Sequence, residues 1–166
     1  MEKFDHRPLT IFVICTGNSC RSVMGEALIN QLGAGRIRAF SAGSHPIGQI
    51  NSGALATLER HGLPTEGYKS QSWEEFAEQP IDIVITVCDN AAGESCPLYL
   101  SKAVRAHWGV SDPGHVKGSE AKKIAAFEET FRILQLRVNK MLALPLETMP
   151  TDQMTAELNA IGALTT

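Results

Sequence analysis

The chain has 166 residues, of which 43% are hydrophobic and 20% charged, and its formal net charge is -3. This length and composition predict one globular catalytic domain over residues 1–166, and the small negative charge argues against a nucleic-acid-binding protein, which needs a broad basic face. No apolar run approaches the ~20 residues of a membrane span and residues 1–9 have no signal-peptide core, so we expect a cytoplasmic protein, away from membranes, whose four cysteines stay reduced.

The first predicted elements are a buried strand, a loop and a helix. The apolar run 11–15 predicts the strand, and Arg21–Leu32 predicts the helix, which ends at Gly33. A cysteine, five residues and an arginine span the junction between strand and helix. The junction and the first residues of the helix are Cys15, Thr16, Gly17, Asn18, Ser19, Cys20, Arg21 and Ser22.

This junction has the residues of a thiolate site for a tetrahedral oxyanion. The backbone N–H groups of such a loop converge on one point, and the following helix adds the positive end of its dipole. We expect Cys15 to be a nucleophile with a lowered pKa, Arg21 to hold two oxygens of the anion as a fork, and Asn18 to fix the loop. Ser22 is expected to donate to the Cys15 sulfur. Cys20 is either a packing thiol, which we favour, or a redox partner of Cys15. For Cys15 itself, the alternative to a nucleophile is a buried cysteine that only ends a strand.

The rest of the chain alternates strands and helices. Further strands are predicted at Ile37–Ala42, 82–87 and 102–107, and further helices at 51–61, in the turn 72–78, from Ser119 onward and in the tail 151–164. The helix after Ser119 carries an apolar stripe at helical spacing, which we expect to be core. The stripe consists of Ile124, Phe127, Phe131, Leu134, Val138 and Met141.

This alternation predicts a three-layer α/β/α fold with a four-stranded parallel sheet and flavodoxin-like topology. In such sheets the carboxyl ends of the strands lie at one edge, where ligands bind. Cys15, Ser41, Cys88 and the loop after Trp108 all follow strands, so we expect them to gather at that edge. Trp108 itself fits either the rim of the pocket or the core.

Several of these motifs resemble one family. The Cys-x5-Arg-Ser run from Cys15 to Ser22, the run Ser41-Ala42-Gly43 and the pair Asp112-Pro113 are similar to those of the low-molecular-weight protein tyrosine phosphatases and of the arsenate reductases that share their fold. The resemblance covers about residues 9–142 and implies the low-molecular-weight phosphatase-like topology. It also implies that Asp112 is the general acid, for which the alternative is a turn-forming Asp-Pro.

Two more cysteines separate the reductases from the phosphatases. The stretch 86–97, with Cys88 and Cys96, and the run His107-Trp108-Gly109 resemble the arsenate reductase branch. Phosphatases of this fold usually follow Asp-Pro with tyrosines, whereas Gly114-His115 stands here. The alternative for the two cysteines is a pair of unrelated thiols.

The resemblance implies a disulfide relay. Cys15 attacks arsenate while Asp112 protonates the leaving oxygen, Cys88 attacks the Cys15 sulfur and releases arsenite, and Cys96 attacks Cys88. An external dithiol then reduces the Cys88–Cys96 disulfide; thioredoxin is the donor that the arrangement resembles, and glutaredoxin with glutathione is the alternative. The main competing function is a phosphatase that hydrolyses aryl phosphates through a cysteinyl phosphate. A non-catalytic oxyanion-binding or redox-sensing module is the third hypothesis.

No bound cofactor or metal is expected. The cysteine spacings do not match those of zinc sites. Some members of the resembled family bind potassium near the loop, and Asn18, Glu26 and Ser41 match candidate ligand positions. The acidic residue expected near Ser72 is replaced by Trp73, so we do not expect the cation, and Glu26 is predicted to be a solvated helix residue.

Overall fold

A four-stranded parallel sheet forms the centre of the structure, a computed structural model that describes residues 8–89, 93 and 97–166. The strands are β1 (Leu9–Ile14), β2 (Ile37–Ala42), β3 (Ile83–Thr86) and β4 (Val104–His107). All three pairings are parallel and the strand order is β2-β1-β3-β4. The predicted α/β class, parallel sheet and flavodoxin-like topology are confirmed.

Strand β1 lies inside the sheet and is buried on both faces, which explains its uninterrupted apolar sequence. On one face Val13 packs against Gly25, where an added Cβ would come within 3.2 Å of the Val13 side chain. On the other face the Phe76 ring packs against the rings of Phe12 and Phe40, with centroid distances of 4.8 and 5.4 Å. Phe76 belongs to a short 3-10 helix, Trp73–Phe76, so both sheet faces are covered.

Among the described residues, four α-helices surround the sheet: α1 (Arg21–Leu32), α2 (Ser52–Arg60), α3 (Glu120–Leu142) and α4 (Thr151–Ile161). Helix α1 packs against both the sheet and α3, so most of its circumference is buried. None of the helices in the described parts of the chain is long and apolar enough to cross a bilayer.

One side chain differs from the sequence prediction, and one ambiguity is resolved. Ile124 was expected in the core stripe of α3 but is 42% exposed, because the first turns of α3 extend past the core, whereas the other five stripe residues are buried. Trp108 is core rather than rim: it is 1% exposed and its indole N–H donates to the Leu158 carbonyl in α4.

Candidate active site

The loop 15–20 between β1 and α1 turns its backbone N–H groups toward a cavity. Its carbonyls at Thr16, Gly17 and Ser19 accept hydrogen bonds of 2.9–3.0 Å from the N–H groups of the segment 45–51 outside the loop. Because the C=O and N–H of a trans peptide point in opposite directions, the N–H groups that follow these carbonyls point to the other side. The loop therefore presents N–H donors to an anion.

The end of strand β2 holds this loop from below. Gly43 approaches it so closely that an added Cβ would lie 2.3 Å from the Thr16 carbonyl oxygen and 2.6 Å from that of Cys15. Only glycine fits this contact. Glycine at the end of the run Ser41-Ala42-Gly43 therefore allows the end of β2 to pack against the oxyanion loop.

Asn18 fixes the shape of the loop from inside. It is fully buried and adopts a left-handed conformation with φ 44°, which asparagine tolerates better than most residues. Its Nδ2 donates to the hydroxyls of Ser22 and Ser41, each at 2.9 Å, and its Oδ1 accepts from the Gln71 N–H at 2.8 Å. The Ser22 hydroxyl was expected to donate to the Cys15 sulfur. Within the described residues, its hydrogen bond is instead with Asn18.

Glu26 extends this network and is not the solvated residue that the sequence predicted. It is half-buried, accepts a 2.5 Å hydrogen bond from the Ser41 hydroxyl, and burial raises its pKa to about 7. Asn18 presents its amide nitrogen, not its oxygen, to Ser41. These side chains form one hydrogen-bonded network. In the described part of the chain, no three His, Cys, Asp or Glu side chains cluster as metal ligands.

Arg21 lies at the cavity, and the three nitrogens of its guanidinium differ in their partners. Its Nη1 donates to the Val110 carbonyl at 2.9 Å, and its Nη2 lies 3.5 Å from Oδ2 of Asp112. Its Nε is buried and has no hydrogen-bond partner among the described residues. A buried unpaired donor is costly, and an oxyanion oxygen would satisfy it.

Asp112 faces the same cavity from the loop after β4. Its Oδ1 caps the short 3-10 helix Pro113–His115 by accepting from the Gly114 N–H at 2.8 Å. Its Oδ2 lies near Arg21 and 3.4 Å from Nε2 of His115. Asp112 therefore forms the turn that the turn-forming interpretation predicted. It also places an oxygen at the cavity, as the general-acid interpretation requires.

The structure brings Cys15 and Cys88 together. Cys88 lies two residues after the buried end of β3, and its thiol is near enough to the Cys15 thiol to raise the pKa of that group. The Cys88 sulfur also accepts a hydrogen bond from the Thr16 N–H at 3.4 Å and lies 3.6 Å from the Thr16 hydroxyl. The contact with Thr16 was not foreseen, since nothing in the spacing of two residues 72 positions apart reveals it.

The expected lowering of the Cys15 pKa is wrong for this arrangement. The hydrogen bond with Cys88 and burial raise the Cys15 pKa, and the Arg21 charge and the Gly17 N–H lower it by less. The prediction considered the loop and the helix dipole but not a second thiol in contact. Two adjacent buried thiols cannot both ionise readily, so Arg21 stabilises at most one negative charge on the pair.

Cys20 is a buried thiol at the start of α1. Burial and the nearby Asp112 carboxylate raise its pKa to about 12, against the effect of Arg21. Helix α1 has no side-chain cap at Cys20, so its first N–H groups remain available to an anion.

These groups line one cavity of about 700 Å³ at the carboxyl edge of the sheet. Its lining includes the loop 15–21, the pair Cys88 and Asp89, and the segment 109–112. Cys96, the third cysteine of the predicted relay, lies outside the described residues. The cavity thus combines N–H donors, a free guanidinium donor, a carboxylate and two thiols.

Comparisons with known proteins agree with this arrangement. The family model of the low molecular weight phosphotyrosine protein phosphatases matches residues 10–154. The arsenate reductase of Bacillus subtilis (strain 168) is 33% identical over 118 residues, which are 71% of this chain and 84% of that protein. An arsenate reductase solved in its phosphate-binding state is 26% identical, with a TM-score of 0.69 over 81% of this chain and 97% of that one. An arsenate reductase in its oxidized state gives a TM-score of 0.68 at 25% identity, covering 81% and 96%.

Proposed function

The chain belongs to the low molecular weight phosphotyrosine protein phosphatase family, and within that family we propose that it is an arsenate reductase. The observation that carries this proposal is that the Cys15 and Cys88 thiols line one oxyanion cavity, near enough for Cys88 to raise the Cys15 pKa. Phosphate-ester hydrolysis needs one nucleophilic thiol and water, whereas reduction of arsenate needs two electrons, which a second thiol supplies. A sulfur in contact with the nucleophile is placed for that purpose.

Arsenate is bound first, as a tetrahedral oxyanion. The N–H groups of the loop and of the first turn of α1 hold its oxygens, and Arg21 adds its unpaired Nε. The Cys15 thiolate then attacks arsenic and forms an S–As bond. Asp112 donates a proton to the departing oxygen, which leaves as water.

Reduction occurs in the second step. The Cys88 thiolate attacks the Cys15 sulfur, an S–S bond forms and the S–As bond breaks. Its electron pair remains on arsenic, which leaves as arsenite, and the two cysteines are oxidised to a disulfide. The Thr16 N–H, which already bonds to the Cys88 sulfur, stabilises the attacking thiolate.

Recycling of the enzyme uses the remaining cysteine. Cys96 attacks Cys88, the Cys15 thiolate leaves, and a Cys88–Cys96 disulfide is reduced by an external dithiol. Thioredoxin is the donor we propose, because the three cysteines resemble those of the thioredoxin-coupled reductases. We assign the reaction to the cytoplasm, where thiols remain reduced. Arsenite formation measured with thioredoxin, and separately with glutaredoxin and glutathione, distinguishes the two donors.

Replacing Cys88 separates the two chemistries of the family. In Cys88→Ser we expect arsenite formation to fall to the background, because the electrons of the second thiol are lost. Hydrolysis of an aryl phosphate, which uses only Cys15, Arg21 and Asp112, should remain within about three-fold of the unmodified enzyme. The control Cys15→Ser should lose both activities. An equal loss of both activities in Cys88→Ser would contradict the proposal, since Cys88 would then be structural.

A further inference from the structure

The C-terminal segment 151–166, called the tail below, packs against the strand that leads into the Asp112 loop. Helix α4 buries Met154, Leu158 and Ile161, and it contacts β4 and α3. Strand β4 is at the edge of the sheet, so one side of its backbone has no neighbour among the described strands. The tail covers this side. Most of its contacts come from residues beyond 154, where the match to the family model ends.

Two hydrogen bonds and one close contact join the tail to the end of β4. The Asn159 side chain accepts from the His107 N–H at 3.0 Å, and the Leu158 carbonyl accepts from the Trp108 indole at 2.9 Å. Gly162 lies so close that an added Cβ would be 2.1 Å from the His107 carbonyl oxygen. These contacts fix the backbone of residues 107 and 108 between the sheet and the tail.

Arg137 of α3 joins the tail to the next two carbonyls. It is 2% exposed, its Nη1 donates to the carbonyls of Trp108 and Gly109 at 2.8 and 3.2 Å, and its Nε donates to Leu164 at 3.0 Å. These three hydrogen bonds all go to carbonyl oxygens, and burial lowers the Arg137 pKa. Burying a cation costs free energy that an apolar side chain at the same position would not cost. The presence of arginine here therefore points to a positioning role.

The chain of contacts ends at the oxyanion site. Val110 follows Gly109, and its carbonyl accepts the hydrogen bond from Nη1 of Arg21. Asp112, two residues later, faces Nη2 of the same guanidinium. Both groups that orient Arg21 thus belong to a segment whose start is held by Arg137 and the tail.

We propose that the tail and Arg137 position Arg21 for oxyanion binding through the segment 107–110. The inference rests on the proposed function, because it assumes that Arg21 binds arsenate. Arg137, Asn159 and Gly162 are positioning residues: they act through the Val110 carbonyl and touch no substrate. Displacement of this carbonyl would turn the guanidinium away from the anion without moving Cys15 against Cys88.

The test uses the full chain with Asn159→Leu, which keeps the side-chain size but loses the acceptor, and Gly162→Ala, which displaces the tail from His107. Calorimetric binding of inorganic phosphate and of arsenate should weaken by about three- to ten-fold in both variants. The KM for arsenate should rise by a similar factor, while the turnover rate at saturating arsenate stays unchanged. Asn139→Leu, the same substitution at an exposed position of α3, is the matched control and should bind as the unmodified protein does.

Arg137→Lys adds a second line of evidence, because it keeps the positive charge but loses the planar fork that reaches carbonyls on two sides. We expect weakened phosphate binding here too, which would exclude a purely electrostatic effect of Arg137. Variants with a lowered melting temperature and unchanged anion affinity would overturn the inference, since the tail would then only stabilise the fold. If the unmodified protein bound neither anion, the proposed function itself would fail.

Discussion

The two thiols at the cavity form one acid–base unit. Cys88 raises the cost of ionising Cys15, and the Arg21 guanidinium compensates for part of that cost. The proposed reaction needs only one thiolate at a time, first on Cys15 and then on Cys88. When Cys15 bonds to arsenic, its sulfur no longer carries the thiolate charge that would repel a thiolate on Cys88. The first step therefore makes the Cys88 thiolate of the second step easier to form.

The fork of Arg21 is more important than its charge. Nη1 donates to Val110, Nη2 faces Asp112, and Nε has no hydrogen-bond partner among the described residues, so Nε is available to the anion. Lysine cannot reproduce three donors in one plane. In Arg21→Lys we expect the KM for arsenate to rise by roughly ten-fold or more, measured by steady-state kinetics. Arg38→Lys, an exposed position on β2, is the control, and equal KM values for the two variants would contradict the assignment.

Glu26 gives the protein a pH-dependent stability. Its pKa is raised from 4.5 to about 7, so the folded state binds more protons than the unfolded state between these values. Linkage then requires the unfolding free energy to decrease as the pH rises from about 4.5 through about 7, by at most about 1.4 kcal/mol per pH unit. Urea unfolding between pH 5 and pH 8 should show this decrease in the unmodified protein but not in Glu26→Gln.

The control for this experiment is Glu59→Gln, at an exposed position of α2, which should follow the unmodified protein at each pH. Parallel curves for Glu26→Gln and the unmodified protein would mean that Glu26 is ionised in the folded state throughout. The pairing of Glu26 with Ser41 was hidden from the sequence, since it joins a helix and a strand through side chains fifteen residues apart.

At the scale of elements, local signals were sufficient for most boundaries. Helix α1 and strand β2 have the predicted limits because Gly33 follows the helix and Gly43 follows the strand. Strand β1 is shifted to Leu9–Ile14, and the predicted strand 102–107 is shortened to Val104–His107. A strand ends where the adjacent strand of the sheet no longer pairs with it. The residues of the strand itself do not determine this point.

Contacts between distant elements were the part that could not be predicted. Arg137 occupies a position on α3 that a charge pattern assigns to solvent, yet it is buried against the carbonyls of Trp108 and Gly109. Its environment is produced by the packing of the tail, which no periodicity in α3 reveals. The convergence of Cys15 and Cys88, in contrast, followed from the parallel sheet, because each cysteine lies within two residues of the end of a buried strand.

Arg36 links the start of β2 to the turn after α3. Its guanidinium donates to the carbonyls of Leu142 and Leu144, each at 2.6 Å, and bonds to both carboxylate oxygens of Glu147. Carbonyls at the end of a helix lack partners within the helix, so these hydrogen bonds stabilise the end of α3. Arg36→Met should lower the unfolding free energy by about 1–2 kcal/mol, measured by chemical denaturation.

Lys123→Met is the matched control for Arg36→Met. It removes a cation whose nitrogen lies 4.0 Å from the Glu120 carboxylate at an exposed position. Its loss should cost no more than about 0.5 kcal/mol. Equal losses in the two variants would show that the Arg36 contacts contribute no more than an ordinary surface ion pair.

For the whole molecule, the parallel sheet explains why one cavity holds all these groups. The ends of β1, β2, β3 and β4 meet at one edge and bring together the oxyanion loop, Gly43, Cys88 and the Asp112 loop. Helix α1 begins at the same edge and adds its N-terminal N–H groups. The fold therefore supplies the binding site, and the second cysteine determines which reaction follows binding.

The central claim is that electrons pass from the Cys15–Cys88 pair to arsenate, and a single turnover in Cys96→Ser tests it most directly. Without Cys96 the relay should stop after the second step. Peptide mapping by mass spectrometry after reaction with arsenate should find one Cys15–Cys88 disulfide and one arsenite for each protein molecule. Release of arsenite without this linkage, or a disulfide between Cys15 and Cys20 in its place, would contradict the account.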